Sequence, residues 1–358
     1  MSTMNTPEPY PATPPPFAGQ SPFDDLDADV ILRSSDNHDF RVYRAVLSLA
    51  SPFFKDMFTL PQSGSESEIP VLPMQESGLV LDRMLRFWYP GAEPKVETLD
   101  QLREVLEVLI SKYDVRSVVP LGKKYLREYI EAHPVAVFAV ACHHGWEDVA
   151  RAAAKESLKF PLRVLNYDAP EVLNNLPANL YHSLLQYHYL CGTAAQGITQ
   201  DLRWIDAGDW VWFNCSNNGY CPAHALHWYL SGDVVHAVRV WFTDYLEAVG
   251  KGLAATPAAD MKDPKWMSDA MKKIWKCSTC REKAFDQLLQ FVSERLIPKI
   301  QREVEKIYNG LRVSSFVVSV NPHRCRLTAC VFRFTMACGF PAPGPSSPGP
   351  TPIDCLHV

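Results

Sequence analysis

Cys277-Ser-Thr-Cys280 places two thiols three positions apart, a spacing that lets one tight turn present both to a single metal ion. Cys215 and Cys221 form a wider pair across Ser216-Asn217-Asn218-Gly219, a turn-forming sequence. Four thiolates would complete a tetrahedral structural zinc site, and His224 or His227 could replace one of them. Against this, the first pair is not CxxC and the loop between the pairs is long, so ordinary buried or surface thiols are the alternative. A redox CxxC has less support: no βαβ pattern precedes it and no electropositive setting is evident to lower a thiol pKa. Cys142-His143-His144 also has metal-ligand residue types, but it falls at a helix C-terminus, where the dipole favours histidine for structural reasons.

Enzyme signatures are missing. There is no Walker A loop, GxGxxG, GxSxG or HExxH. The acidic run Asp24, Asp25, Asp27 and Asp29 has no pocket pattern around it and reads as capping or solvated. The expectation is a non-enzyme with no catalytic residues and no cofactor other than a candidate structural zinc at Cys215, Cys221, Cys277 and Cys280.

The chain has 358 residues, enough for two or three compact units. A net charge of -5 and the lack of any dense Lys/Arg cluster argue against nucleic-acid binding. The start, MSTMNTPEPYPATPPPFAGQ, is Pro-rich and lacks the basic and apolar regions of a secretory signal. No apolar run approaches the ~20 residues needed to span a bilayer. Cys355-Leu-His-Val has a prenylation outline, but His357 is a poor aliphatic substitute and no basic run precedes it. A cytoplasmic or nuclear place is therefore expected, with no membrane partner. Its ten cysteines would be reduced there, favouring metal or burial over disulfides.

The elements that must position these residues follow from patterning. Asp29 to Phe58 reads as strand, turn, strand and two short helices. Val30 and Leu32 alternate with Ile31 and Arg33, Asp36-Asn37-His38-Asp39 makes the turn, and Phe40 and Val42 share one face. Ser51 is the expected N-cap of the second helix, with Pro52 at its first position. Thr98 and Gln101 have capping-box spacing, ahead of the apolar stripe Leu102, Val105, Leu106 and Leu109. Ser117 opens a helix carrying Leu121, Tyr125 and Tyr129.

The run DVILRSSDNHDFRVYRAVLSLASPFFKDMF resembles the opening of a BTB/POZ domain in both order and spacing. The resemblance continues through Glu68-Ile-Pro-Val-Leu, the helix Leu79 to Phe87, Tyr89-Pro90 and Lys112-Tyr113-Asp114. It implies an α+β BTB/POZ fold, a small sheet with a helical cluster, followed here by a mainly α-helical extension. The remainder resembles, more loosely, a large group of fungal, basidiomycete-type BTB proteins. The implied function is protein–protein interaction as a scaffold or adaptor, through a homodimer or a BTB hetero-partner. Family pattern further implies that Asp29 and Arg44 line a charged pocket near the dimer interface, the guanidinium facing the carboxylate. Many members carry histidine just before the basic residue, where this chain has Tyr43. One alternative is a substrate adaptor of a cullin-type ubiquitin ligase. Its hydrophobic-x-Glu signature is met only by Leu60-Pro61-Gln62, with glutamine in place of glutamate. The other is a transcriptional regulator without direct DNA binding.

Five segments follow: a disordered Pro-rich tail over 1–22, the BTB-like domain over 23–126, a helical extension over 127–195, a Trp/Cys-containing helical region over 196–310, and a low-order tail over 311–358. Pro134 and Gly145 bracket one helix of the extension, Val149 to Leu158 is an alanine-rich second, and others start at Pro170 and Pro177. The small, polar run Gly192 to Gln200 reads as the boundary before the Trp-rich region. Val234, Val238, Trp241, Tyr245 and Ala248 mark an amphipathic helix, and Asp263-Pro264 starts another. Phe285 to Ile307 gives a long last helix, kinked at Pro298, whose apolar stripe suits core packing or a partner helix. Residues 311–358 contain no lysine and four cysteines and end in a Pro/Gly/Ser run, a composition that fits a translated intron or alternative exon.

Overall fold

The alternating run at Val30 builds a strand because its inward positions are all apolar. The computed structural model of the chain describes residues 17–18, 21–60, 69–162, 176–217, 219–222 and 228–310. Pro61, Gln62, Pro170, His224, His227 and the whole of 311–358 lie outside the described residues, as do the readings placed on them. Every described residue belongs to the first of two units, residues 1–318.

A four-stranded sheet, ordered β1-β3-β2-β4, opens the fold. Its strands are β1 (Phe17–Ala18), β2 (Val30–Arg33), β3 (His38–Val42) and β4 (Val71–Pro73). β2 and β3 are antiparallel, pairing Val30 with Val42 and Leu32 with Phe40, and these four side chains are buried together. β4 runs parallel to β2 on the other edge. β1 pairs with His38 and Asp39, so part of the stretch expected to be a disordered tail is strand. Phe23 is likewise fully buried, packed on Phe40 and edge-on to Tyr89. It lies outside any periodic run, which is why patterning passes over it.

Helices α1 (Arg44–Ala50) and α2 (Pro52–Thr59) follow, with the Ser51 hydroxyl accepting from the Phe54 N–H as an N-cap. α3 (Gly78–Trp88) and α4 (Leu99–Leu106) pack on the sheet. At α4 the Thr98 hydroxyl accepts from the Gln101 N–H. The Gln101 amide oxygen reaches back to the Glu97 N–H, one residue before the reciprocal partner of a full capping box. A π-helical stretch over Glu107–Lys112 extends α4 and keeps Leu109 buried beside Leu102, Val105 and Leu106. Tyr113 then donates from its hydroxyl to Glu76 at 2.8 Å, while Lys112 pairs with the same carboxylate. This satisfies a nearly buried acid from both sides. Ser117 sits inside a 3-10 turn, and helix α5 begins at Val119 and runs to Glu128.

α6 (Pro134–His143) is buried from Ala136 to Cys142 and ends at Gly145, whose φ of 69° supplies the left-handed residue that the stop requires. α7 is Glu147–Ser157, and α8 is a 23-residue helix, Ala178–Gln200. The Gly192–Gln200 run is therefore helix interior rather than a linker, and its small residues serve packing. A Cβ on Gly192 would lie 2.6 Å from the backbone oxygen of Ala254 in a neighbouring helix.

Beyond α8 come α9 (Val211–Asn214), the β5–β6 hairpin (Trp228–Tyr229 with Val235–His236), α10 (Val240–Ala255), α11 (Pro264–Ile274), α12 (Ser278–Phe291) and α13 (Ile297–Gly310). Val234 and Val238 precede α10 rather than share its face; β-branched residues here form hairpin and loop, and Arg239 is the N-cap before the helix begins at Val240. Asp263 caps α11 by accepting from the Lys265 N–H. A π-helical stretch, Val292–Leu296, joins α12 to α13 just before Pro298, where proline has no N–H to give to the ladder. Leu288, Val292, Leu296 and Ile300 are buried, so the last stripe serves the core, while Phe285 is exposed.

Two apolar cores result. The first holds the sheet, α1 to α7 and the α8 residues Leu180, Leu184, Tyr187 and Cys191. The second starts at Ala195 and is built on Trp212, Phe242, Tyr245 and Phe291. The compositional change near residue 195 thus marks a change of core within one helix. The chain is an α+β unit followed by a mostly helical region, and no helix among the described residues is long and apolar enough to cross a membrane.

Candidate functional site

The C-cap of α9 and the N-cap of α12 both fall on cysteine. Cys215 ends α9, which is too short to stand without the aromatic contacts of Trp212 on Trp210 and Phe242. Cys221 follows a turn in which its N–H donates to the Asn217 carbonyl at 2.8 Å. Cys277 is the residue before α12 and Cys280 lies in its first turn. Helical spacing puts those two sulfurs on one side, facing the loop that carries the other pair.

All four thiols meet. Cys215 Sγ is 3.7 Å from Cys277 Sγ, and Cys221 Sγ is 3.4 Å from Cys280 Sγ. The four sulfurs lie within 4.8 Å of one another, and all four residues are buried. Burial pushes the Cys221 thiol up to about 11, and the Cys280 thiol is raised by burial and by its closeness to Cys221. Burial also opposes ionisation of Cys277, but the Cys280 N–H, the Cys215 and Cys280 thiols and the Thr279 N–H outweigh it, and that thiol lies below its ordinary value. Arg239 is buried beside the cluster, donating from Nη1 to the Cys221 carbonyl and from its backbone N–H to the Trp212 carbonyl. Sequence reasoning missed Arg239; the only available signal was a lone arginine within an apolar stretch.

The second pair of sequence-derived residues is also brought together, by different atoms. Asp29 Oδ1 accepts from the backbone N–H of Arg44 at 2.7 Å, satisfying one of the free donors at the start of α1. The Arg44 guanidinium lies over the Phe58 ring, 5.5 Å from its centroid, instead of facing the carboxylate. Tyr43 donates from its hydroxyl to Asp25, and that hydrogen bond pushes its phenol up to about 12. Asp25 and Asp29 thus satisfy local backbone donors.

A third cluster emerges at the C-terminal end of α6. Glu107 pairs with His143 Nε2 at 2.7 Å, and His144 stacks on Trp146 with centroids 5.0 Å apart. The three line a cleft of about 780 Å³ with Asp100, Arg103 and Glu104. Glu107 was not foreseen, because its partner His143 lies on a separate helix that only the tertiary fold brings near. The hydrogen bond that His143 donates to Glu107 raises its pKa, whereas burial, aided by the charge on His143, lowers that of His144 to about 4. An unfolded chain therefore takes up the His144 proton first. The stability that neutral His144 confers is complete above pH ~6.5 and declines as pH falls toward 4. His143 acts in the opposite sense, holding its proton to higher pH in the fold. His144→Phe, which keeps the stacking, is expected to remove roughly 1–2 kcal/mol of the wild-type stability loss between pH 7 and pH 5, measured by urea denaturation at each pH. An unchanged pH dependence would rule out the buried neutral imidazole.

The family model described as the BTB/POZ domain matches residues 22–130. This stretch is a BTB/POZ domain. The match takes in the four-residue strand at Val30, the hairpin, α1 to α5 and the Glu76–Tyr113 contact. It covers somewhat under a third of the chain, and the BTB/POZ domain is a protein-interaction module. A search of curated proteins gives no match.

Proposed function

We propose that the chain is a non-enzymatic scaffold or adaptor that dimerises through its BTB/POZ domain and presents the helical region after it to a partner. The supporting observation is apolar surface on that domain. Leu49 on α1 is 91 % exposed and Leu26 beside the sheet is 79 % exposed, with Phe53 and Leu60 also open at α2. Large aliphatic side chains that remain this exposed on a domain of this type suit an interface between copies. In this reading Asp29 fixes the start of α1, and Arg44 and Phe58 border the contact. The looser sequence likeness supports placing the chain with fungal BTB proteins acting in the cytoplasm or nucleus.

The test is sedimentation equilibrium of the full chain. A dimer is expected, with Leu49→Asp weakening it at least tenfold while the circular dichroism spectrum stays unchanged. A wild-type monomer at micromolar concentration would overturn the homodimer, and native mass spectrometry with a second BTB chain would then test a hetero-partner.

A further inference from the structure

We propose that Cys215, Cys221, Cys277 and Cys280 bind one zinc ion through four thiolates, forming a closed structural site that fastens the loop after α9 to the start of α12. The inference is independent of the dimer reading, because none of the four residues lies in residues 22–130.

Geometry carries the argument. A zinc ion with Zn–S bonds of about 2.3 Å in a tetrahedron holds its sulfurs about 3.8 Å apart. The measured separations of 3.7 and 3.4 Å, with every sulfur within 4.8 Å of the others, enclose a space of that size. Two disulfides would need S–S distances near 2.05 Å, well inside those observed. An iron–sulfur cluster needs several metal atoms between its thiolates, and this space holds one ion. Four buried thiols in mutual contact are a costly arrangement for a set of S–H groups and a fitting one for ligands.

The surroundings fit the charge of such a site. Four thiolates on a divalent ion leave two negative charges. Backbone N–H groups of Thr279 and Cys280 point at Cys277 at the positive end of α12. The buried Arg239 cation, anchored on the Cys221 carbonyl, stands behind the other pair. Full burial of all four ligands leaves no open coordination position, so the ion's role is to hold the fold and not to activate water.

The test uses the full chain purified with reductant in zinc-containing medium. Elemental analysis is expected to give one zinc per chain. Titration with a mercurial should release that zinc in step with four thiols, and Cys142→Ala with Cys191→Ala should leave the stoichiometry unchanged. Cobalt substitution supplies a readout that does not require a folded cysteine variant: the visible bands of a tetrahedral tetrathiolate are expected. Cys277→Ser, where it folds, should weaken the sulfur-to-cobalt charge-transfer band. Metal-free folded protein, a mass lower by four hydrogens from two disulfides, or stoichiometric iron in place of zinc would each overturn the proposal.

Discussion

Trp212→Ala is expected to lower stability by about 3–5 kcal/mol and to unfold the second core ahead of the BTB/POZ domain. Trp212 is the largest fully buried side chain among the described residues. It stacks on Phe242 at 4.4 Å and on Trp210 at 4.9 Å, and meets Trp241 and Phe291 edge-on. Removing it leaves a cavity at the meeting point of α9, α10 and α12, whose rings cannot all move inward. Its indole N–H has no hydrogen-bond partner, so Trp212→Phe should be milder, losing area but also shedding a buried unsatisfied donor. Trp275, 63 % exposed, provides the contrast: Trp275→Ala should stay within about 0.5 kcal/mol of wild type. Hydrogen exchange under mild urea would read the difference by region. Trp212→Ala should lose protection over residues 211–300 first, and uniform loss across residues 22–130 as well would contradict two separable cores.

Alanine should have opposite effects at two glycines of α8. Gly197 has nothing within 4 Å of where a Cβ would stand, so Gly197→Ala should gain about 0.5–1 kcal/mol from helix propensity alone. At Gly192 the same Cβ would sit 2.6 Å from the Ala254 oxygen, which is backbone and cannot rotate away. There the helices must part, and a cost of about 1–3 kcal/mol should outweigh the propensity gain. Thermal melts of the two variants read the sign directly. A stabilised Gly192→Ala would mean that α8 and α10 sit farther apart than the structure has them.

Local signals told most about the N-terminal third. Val30, Leu32, Phe40 and Val42 alternate, Ser51-Pro52 announces a helix start, and Leu102 to Leu109 repeats at helical spacing; each acts within a few residues, where sequence reasoning is strongest. Pairing between distant segments was harder to read. The convergence of Cys215 and Cys221 with Cys277 and Cys280 was legible only as residue types, because closing a loop of that length depends on Trp212, Phe242 and Phe291 stacking in three dimensions. Glu107 joining His143 depends on α6 lying beside the end of α4, which no local pattern encodes. Small residues at 192–200 misled because glycine and alanine occur both where a chain loosens and where two helices touch. Asp29 meets Arg44 through the backbone N–H and not the guanidinium, because a short acid near a helix start satisfies backbone donors more readily than it waits for a long side chain.

The last helix has a consequence for synthesis. Val304, Ile307 and Tyr308 pack against the first core, whose strands were made some 260 residues earlier. Chains grow from the N-terminus at about 5–20 residues per second. α7 and α8 therefore wait, part of their apolar surface uncovered, until α13 leaves the ribosome. A nascent chain stalled before Val304 would hold its strands in place yet show a sticky flank, and such a chain is a natural client for a chaperone.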